Sequence, residues 1–344
     1  MRWVLLPLVL ALAVTPETIA PRASSSLPTR LENYLTAVSA TTKDREALIN
    51  GTPITRMLDS DASKEVAVFG AIWIAAPIHR YVAAIQDIER FEHGGRFKIT
   101  KRISNPPALT DFAALRLPDE DLDDLRACRV GDCEIQLGES ALERFHNGID
   151  WDGPDAQREA NALMRQVVFE YVSSYLRRGN DALAVYRDTA RPTVAAREFQ
   201  TMVDQMPELS THMTDVRRYL LEYPRVTLPG ATSLLYWQET EFGLKPTIRI
   251  SHLMVRETAD ETVVASKMIY ATHYFWTALE VRVLVPDPSR GPGFWFLSVN
   301  RSRSDGLSGF TGLFVRHRVR REVKKGMEGA LTRTKRVLEG MMID

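Results

Sequence analysis

Two histidines, His252 and His273, lie in stretches rich in β-branched and aromatic residues, and His273 stands beside Tyr274 and three positions after Tyr270. An imidazole can exchange a proton near neutral pH, orient a polar head group or ligate a metal, so a histidine pair with a tyrosine is the arrangement here with acid–base potential. Two imidazoles fall short of a catalytic zinc site, which takes three protein donors, and neither metal nor cofactor is expected. The commoner fate of a lone strand histidine is a hydrogen-bonded place in the core. No G-x-S-x-G occurs, because Gly306-Leu307-Ser308-Gly309 has the wrong spacing for a nucleophile elbow. HExxH, P-loop and dinucleotide fingerprints are absent too, which argues against the common hydrolases and nucleotide enzymes. Asp150, Asp152 and Asp155 resemble a calcium loop in composition, but Gly153-Pro154 between them fits a helix start better.

The chain has 2 cysteines, Cys128 and Cys133, around Arg-Val-Gly-Asp. That spacing predicts a small disulfide loop in an oxidising compartment. The first residues, MRWVLLPLVLALAVTPETIAPRA, give one basic residue, an apolar run from Trp3 to Val14 and then small and polar residues. This is the pattern of a secretory signal peptide, with an apolar core too short for a stable membrane span. Export to the periplasm or the exterior is therefore expected, with cleavage after Ala13, Ala20 or Ala23. With 344 residues, 44% hydrophobic, and 44 basic side chains against 44 acidic, the chain suits one large or two small globular domains. Zero net charge and the lack of a stacked aromatic motif among the cations argue against nucleic acid as a partner.

Leu31 to Asn50 predicts one or two short amphipathic helices. Glu65 to Ile74, EVAVFGAIWI, reads as a strand, and Pro77 opens a helix with Tyr81, Val82, Ile85, Ile88 and Phe91 on one face. A short acidic helix is expected at Asp119 to Arg126, and residues 139–223 read as mostly helical. Their strongest helix begins after Asp152-Gly153-Pro154-Asp155 and carries Ala160, Leu163, Met164, Val167, Val168, Tyr171, Val172, Tyr175 and Leu176 on one stripe before Arg177-Arg178-Gly179. Pro192 and Ser210-Thr211 mark two further helix starts. From Arg225 the period becomes that of strands: Ser233 to Gln238, Thr247 to Glu257, Val263 to Val285 and Gly293 to Arg301 form an antiparallel meander. The chain is helical again from about Leu313 to Leu338.

The segment Ile74-Ala75-Ala76-Pro77 followed by Val82 to Glu89 resembles the strand, Ala-Pro and helix opening of START-like (SRPBCC) proteins, and the meander with its closing long helix resembles their C-terminal half. The resemblance covers residues 65–104 and 224–339. It implies an α+β helix-grip fold, a curved antiparallel sheet around a long C-terminal helix, with a helical block inserted between. Five segments follow: a signal peptide and cleavage region at 1–23, linker and short helices at 24–64, the first strand–helix unit at 65–105, the helical insertion at 106–223, and the meander with its helix at 224–344.

The resemblance further implies an apolar or lipid-like ligand held between sheet and helix, as in a binding or carrier protein. Tyr236, Trp237, His252, Tyr270, His273, Tyr274, Trp276 and Trp295 are the candidate walls. Strict alternation puts Lys267, Ile269 and His273 on one face and Tyr270, Tyr274 and Trp276 on the other. In the loop and helix from Asn300 to Gly326, Phe310 and Phe314 stand among cations that include Arg316 and Arg320, a composition suited to an anionic membrane surface. A filled core is the plain alternative for the aromatics, and a solvated helix face for the cations. Two other functions fit the same sequence: an enzyme using His252 and His273 on a small apolar substrate, and a cell-envelope interaction protein working through its helical block.

Overall fold

In a computed structural model, residues 26–241, 245–304 and 312–340 are described, 312–316 by backbone only. The predicted signal peptide lies outside them. Two short helices come first, α1 (Thr29–Ala37) and α2 (Thr42–Ile49), the latter opened by a capping box in which Thr41 and Asp44 satisfy each other's backbone N–H groups. β1 (Ile54–Met57) and β2 (Glu65–Ile74) form a hairpin, and Pro77 caps α3 (Ile78–Gln86), followed by the one-turn α4 (Ile88–Phe91) and β3 (Phe97–Ile103).

Helices dominate the next stretch: α5 (Asp119–Ala127), α6 (Glu139–Gly148), α7 (Ala156–Arg178), α8 (Ala195–Asp204), α9 (Pro207–Thr211) and α10 (Thr214–Glu222). A two-residue ladder of β4 (Val185–Tyr186) and β5 (Thr193–Val194) interrupts them. Ser210 and Thr211 close α9 rather than start a helix, since Pro207 already supplies a helix N-terminus. The meander follows as β6 (Ala231–Thr240), β7 (Thr247–Glu257), β8 (Thr262–Ala271), β9 (Thr277–Pro286) and β10 (Phe294–Arg303), and α11 (Gly312–Leu338) ends the described chain.

The fold is thus α+β, with a curved antiparallel sheet of 8 strands in the order β1-β2-β10-β9-β8-β7-β6-β3 and a long C-terminal helix. Both sheet faces are covered. On one face Phe69, Trp237, Ile250, Val281 and Trp295 pack against α1 and the helices from α5 to α10 in the larger core. On the other, Val68, Ile72, Leu253, Val264, Leu284 and Phe296 meet Tyr81, Val82 and Ile85 of α3 and Met327, Leu331 and Leu338 of α11. The helix crosses the sheet over Gly70, where an added Cβ would sit 2.7 Å from Met327 Cγ and 2.9 Å from Leu331 Cδ1. Along this helix Met327, Leu331 and Leu338 are buried and Val323 packs partly, whereas Ala330 faces solvent.

β8 does not alternate throughout. Ile250 pairs with Tyr270 and Ser251 with Met268, so Ile269 is an extra residue in β8. This bulge reverses the phase of the strand, and Ile269 and Tyr270 enter the same core. The expected division of faces fails at that point, because a bulge leaves no mark on the period of a sequence. The Cys128–Cys133 disulfide is present, with Cα atoms 4.5 Å apart.

Candidate functional site: a polar trough under the C-terminal helix

Of the eight aromatic and histidine residues expected to line a ligand cavity, Tyr236 alone belongs to the core beneath α3 and α11. Trp237, Tyr270, Trp276 and Trp295 are buried on the opposite face, where three satisfy their polar atoms locally: Trp237 Nε1 donates to the Asp111 carbonyl (2.9 Å), Tyr270 to the Gln136 carbonyl (3.0 Å) and Trp295 Nε1 to Asp287 (3.0 Å). Their rings serve as core, because the helical layer fills the space in front of them. Tyr274, half-buried, accepts the Lys245 backbone N–H at 2.9 Å.

The two histidines are not brought together. His252 sits opposite Lys267 in the ladder, while His273 lies beyond the last β7–β8 pair, Arg249 with Ala271. About five residue rises separate them along the sheet, roughly 16 Å. His273 is buried with Nε2 2.9 Å from Asp121 Oδ1 and Nδ1 3.0 Å from the Glu134 carbonyl, so both ring nitrogens face oxygen acceptors. His252 is enclosed by tyrosines: the Tyr175 hydroxyl is 2.9 Å from Nδ1, the Tyr219 hydroxyl 3.5 Å from Nε2, and the Tyr223 ring centroid 4.6 Å away. Burial, with the Lys267 charge second, pushes its pKa down to about 3, which makes it a neutral core histidine at ordinary pH.

Lys267 is the less expected neighbour. Only 1% exposed, its ammonium bonds Asn180 Oδ1 and lies 4.2 Å from the Phe199 ring centroid and 5.2 Å from that of Tyr175. Burial lowers its pKa to about 7. Its place in the strand alternation gives the face but not the lack of an acidic partner.

The face under α11 carries what sequence reasoning missed. Alternation along β9, Thr277–Pro286, puts Leu279, Val281 and Val283 into the larger core and Glu280 and Arg282 on the α11 side. Arg282 grips Glu280 with two bonds, Nε to Oε1 at 2.8 Å and Nη2 to Oε2 at 2.6 Å, and donates to the Tyr81 hydroxyl at 3.1 Å. Ser298 donates to the same Glu280 Oε1 at 2.9 Å. Glu92 accepts from Gln238 Nε2 at 2.6 Å and lies 3.8 Å from both Arg249 and Arg282. Arg249 bonds Gln238 Oε1 through Nε (2.9 Å) and Nη2 (2.6 Å) and rests 5.2 Å above the Phe97 ring. The hydroxyls of Tyr236 and Ser266 are 3.1 Å apart.

Charge compensation holds Glu280 and Arg282 ionised. Burial alone would raise the Glu280 carboxyl, but the Arg282 charge and hydrogen bond outweigh it and its pKa falls. Arg282 is correspondingly held above its ordinary range, burial being overcome by Glu280, Tyr81 and Glu92. Burial, followed by the Glu92 charge, pushes the Tyr236 hydroxyl up to about 12.

This network is not sealed. Ser266, Ala278, Glu280, Arg282, Asn300 and Ser302 all sit in the middle strands on the α11 side, and all are half-buried rather than buried. The Arg249 side chain is 30% exposed and that of Glu280 24%. Strand centres reach solvent only where the layer above stands off, so this part of the α11-side face is a partly open polar trough. Next to it the same face is apolar and closed, with Leu234, Leu253, Val264, Leu284, Phe294 and Phe296 buried in the core beneath α3 and α11. Of the expected membrane-contact residues, Arg320 is exposed on α11; Phe310 and the side chains of Phe314 and Arg316 fall outside the described residues. Among the described residues no group of three or more His, Cys, Asp or Glu gathers to hold a metal ion, and no helix is long and apolar enough to cross a membrane. Comparison with family models, with curated proteins and with solved structures finds no match to this chain, and the functional reading rests on its own residues.

Proposed function

We propose that the chain is an exported binding or carrier protein of the START-like, helix-grip kind, holding an amphiphilic ligand between the sheet and α11. The meander whose last strand pairs with β2, closing a curved sheet against one long helix, supports the fold assignment. The helices between β3 and β6, two strands that pair directly, support the reading of residues 106–223 as an insertion, here a cover for the second sheet face. The observation that carries the function is the half-open trough. A central sheet face with two arginines and two carboxylates at one end and branched and aromatic side chains at the other suits a molecule with a polar head and an apolar body. The sequence alone suggests an apolar ligand; the charged floor argues for an amphiphile.

Protein purified gently from its native compartment and examined by native mass spectrometry should carry an extractable amphiphile at near-stoichiometric level. A chain of bare mass that also fails to take up any offered amphiphile would overturn the reading. Release at an anionic membrane would run through Phe310, Phe314, Arg316 and Arg320. Phe310→Asp with Phe314→Asp should then abolish cosedimentation with anionic liposomes, and unchanged cosedimentation removes the membrane step.

A further inference from the structure

Many arginines of this protein are paired with carboxylates, among them Arg56 with Asp44, Arg144 with Glu170, Arg282 with Glu280, and Arg301 and Arg303 with Glu65. Three at one end of the trough are not paired in this way. Arg96 follows the Gly94-Gly95 turn before β3, Arg249 projects from β7, and Arg333 from α11. Arg96 and Arg333 have no hydrogen bond or ion pair from their side chains among the described residues, and Arg249 shares Glu92 with Arg282 at 3.8 Å each. Glu241, whose backbone N–H bonds the Arg96 carbonyl, turns its carboxylate to Lys98 instead.

The three converge. A methyl group at Gly326 would lie 3.7 Å from Arg96 Nη2, so the guanidinium rests against α11, and Arg333 stands two turns further along the same helix face. Although Arg96 is exposed as a whole, desolvation of that guanidinium, then the charges of Arg333 and Arg249, push its pKa down. Among the described residues Arg249 and Arg282 share Glu92, Arg282 also holds Glu280, and neither Arg96 nor Arg333 has an ion pair, which leaves these six groups with an excess of two positive charges in a chain of zero net charge. Like charges held together without counter-charges disfavour the empty state and favour an anion, which guanidinium forks bind with two parallel hydrogen bonds.

We infer that Arg96, Arg249 and Arg333 form an anion site that takes the acidic head, a carboxylate or phosphate, of an amphiphile whose apolar part runs toward Phe294 and Phe296. The amphiphile part rests on the binding function proposed above; the anion site itself does not. The test compares wild type with Arg96→Gln/Arg333→Gln, two exposed positions whose change leaves the core intact. Dodecanoate, dodecanol and dodecyltrimethylammonium are titrated calorimetrically, and inorganic phosphate is added separately in thermal melts. Dodecanoate should bind wild type at least about tenfold more tightly than dodecanol, as charge-assisted hydrogen bonds imply. The double variant should lose that preference while keeping its dodecanol affinity. Equal binding of dodecanoate and dodecanol by wild type overturns the anion site and leaves the carrier reading intact. Failure of all three amphiphiles, with phosphate raising the Tm of wild type alone, overturns the carrier reading and keeps the anion site. Failure of both probes overturns both.

Discussion

Replacing Lys267 by methionine should stabilise the protein at neutral pH and remove a pH dependence that wild type has. The ammonium is enclosed by Phe199, Tyr175 and Asn180 with no carboxylate in contact, and burial takes its pKa from the ordinary 10.5 to about 7. Above pH 7 the folded chain has released this proton while the unfolded chain keeps it until pH 10.5. The unfolded state then binds more protons, so stability rises with pH across that window and is lowest below pH 7. At about 1.36 kcal/mol per pH unit, with half that slope at the lower end, wild type should gain about 2 kcal/mol between roughly pH 7 and pH 9. Other buried groups leave the window clean: His252 is neutral throughout it, and burial carries Tyr175 and Tyr270 well above their ordinary value. Lys267→Met keeps the unbranched shape, removes the charge and forfeits about 1 kcal/mol of hydrogen bonding to Asn180, a net gain of about 3 kcal/mol at pH 7. Urea unfolding of both proteins, disulfide intact, at three pH values in that range measures it. Parallel pH curves for the two proteins, or a variant less stable at pH 7, would refute the reasoning.

His252 gives the acid-side counterpart. Its folded pKa of about 3 lies below the ordinary 6.5, so the unfolded state takes up the proton first and stability falls as pH drops through that interval. Wild type should lose about 2 kcal/mol from this group between roughly pH 7 and pH 5, and His252→Gln should flatten that part of a urea-unfolding profile. Gly70→Val would force the Met327 and Leu331 contacts of α11 apart, costing about 1–3 kcal/mol by overpacking. Hydrogen exchange on α11 should accelerate ahead of that on the helices of the other face.

The segments with an unambiguous period were legible in the sequence: EVAVFGAIWI is a ten-residue strand as expected, α7 and α11 stand where helical periods put them, and the meander is present except that the stretch Val263 to Val285 is two strands, β8 and β9, interrupted at 272–276. β3 went unread because it is an edge strand, FKITKRI, whose charged residues face solvent and break the apolar signal. The aromatic residues misled because a sheet covered on both faces has two sets of buried rings, and composition does not say which face a cavity adjoins. The Ile269 bulge then moved Tyr270 to the unexpected side. The trough was hidden for the opposite reason. Glu280 and Arg282 alternate with Leu279, Val281 and Val283, the pattern of a strand with one wet face, and only the strand's central place in the sheet turns those charges inward.

The pairing of β2 with β10 has a further consequence for how the chain reaches its native state. Glu65 lies opposite Arg303, 238 residues away, so this ladder carries one of the longest closure distances in the molecule. Until β10 is in place, β2 is a ten-residue, almost uncharged run of valine, alanine, phenylalanine, isoleucine and tryptophan with one edge unpaired, and β1 shields only Val68 to Ala71 of its other edge. Such a strand is a ready template for another copy of itself. A chain arrested before β10 therefore leaves its most aggregation-prone strand open, and C-terminal truncation should fail through insolubility rather than through loss of a few contacts.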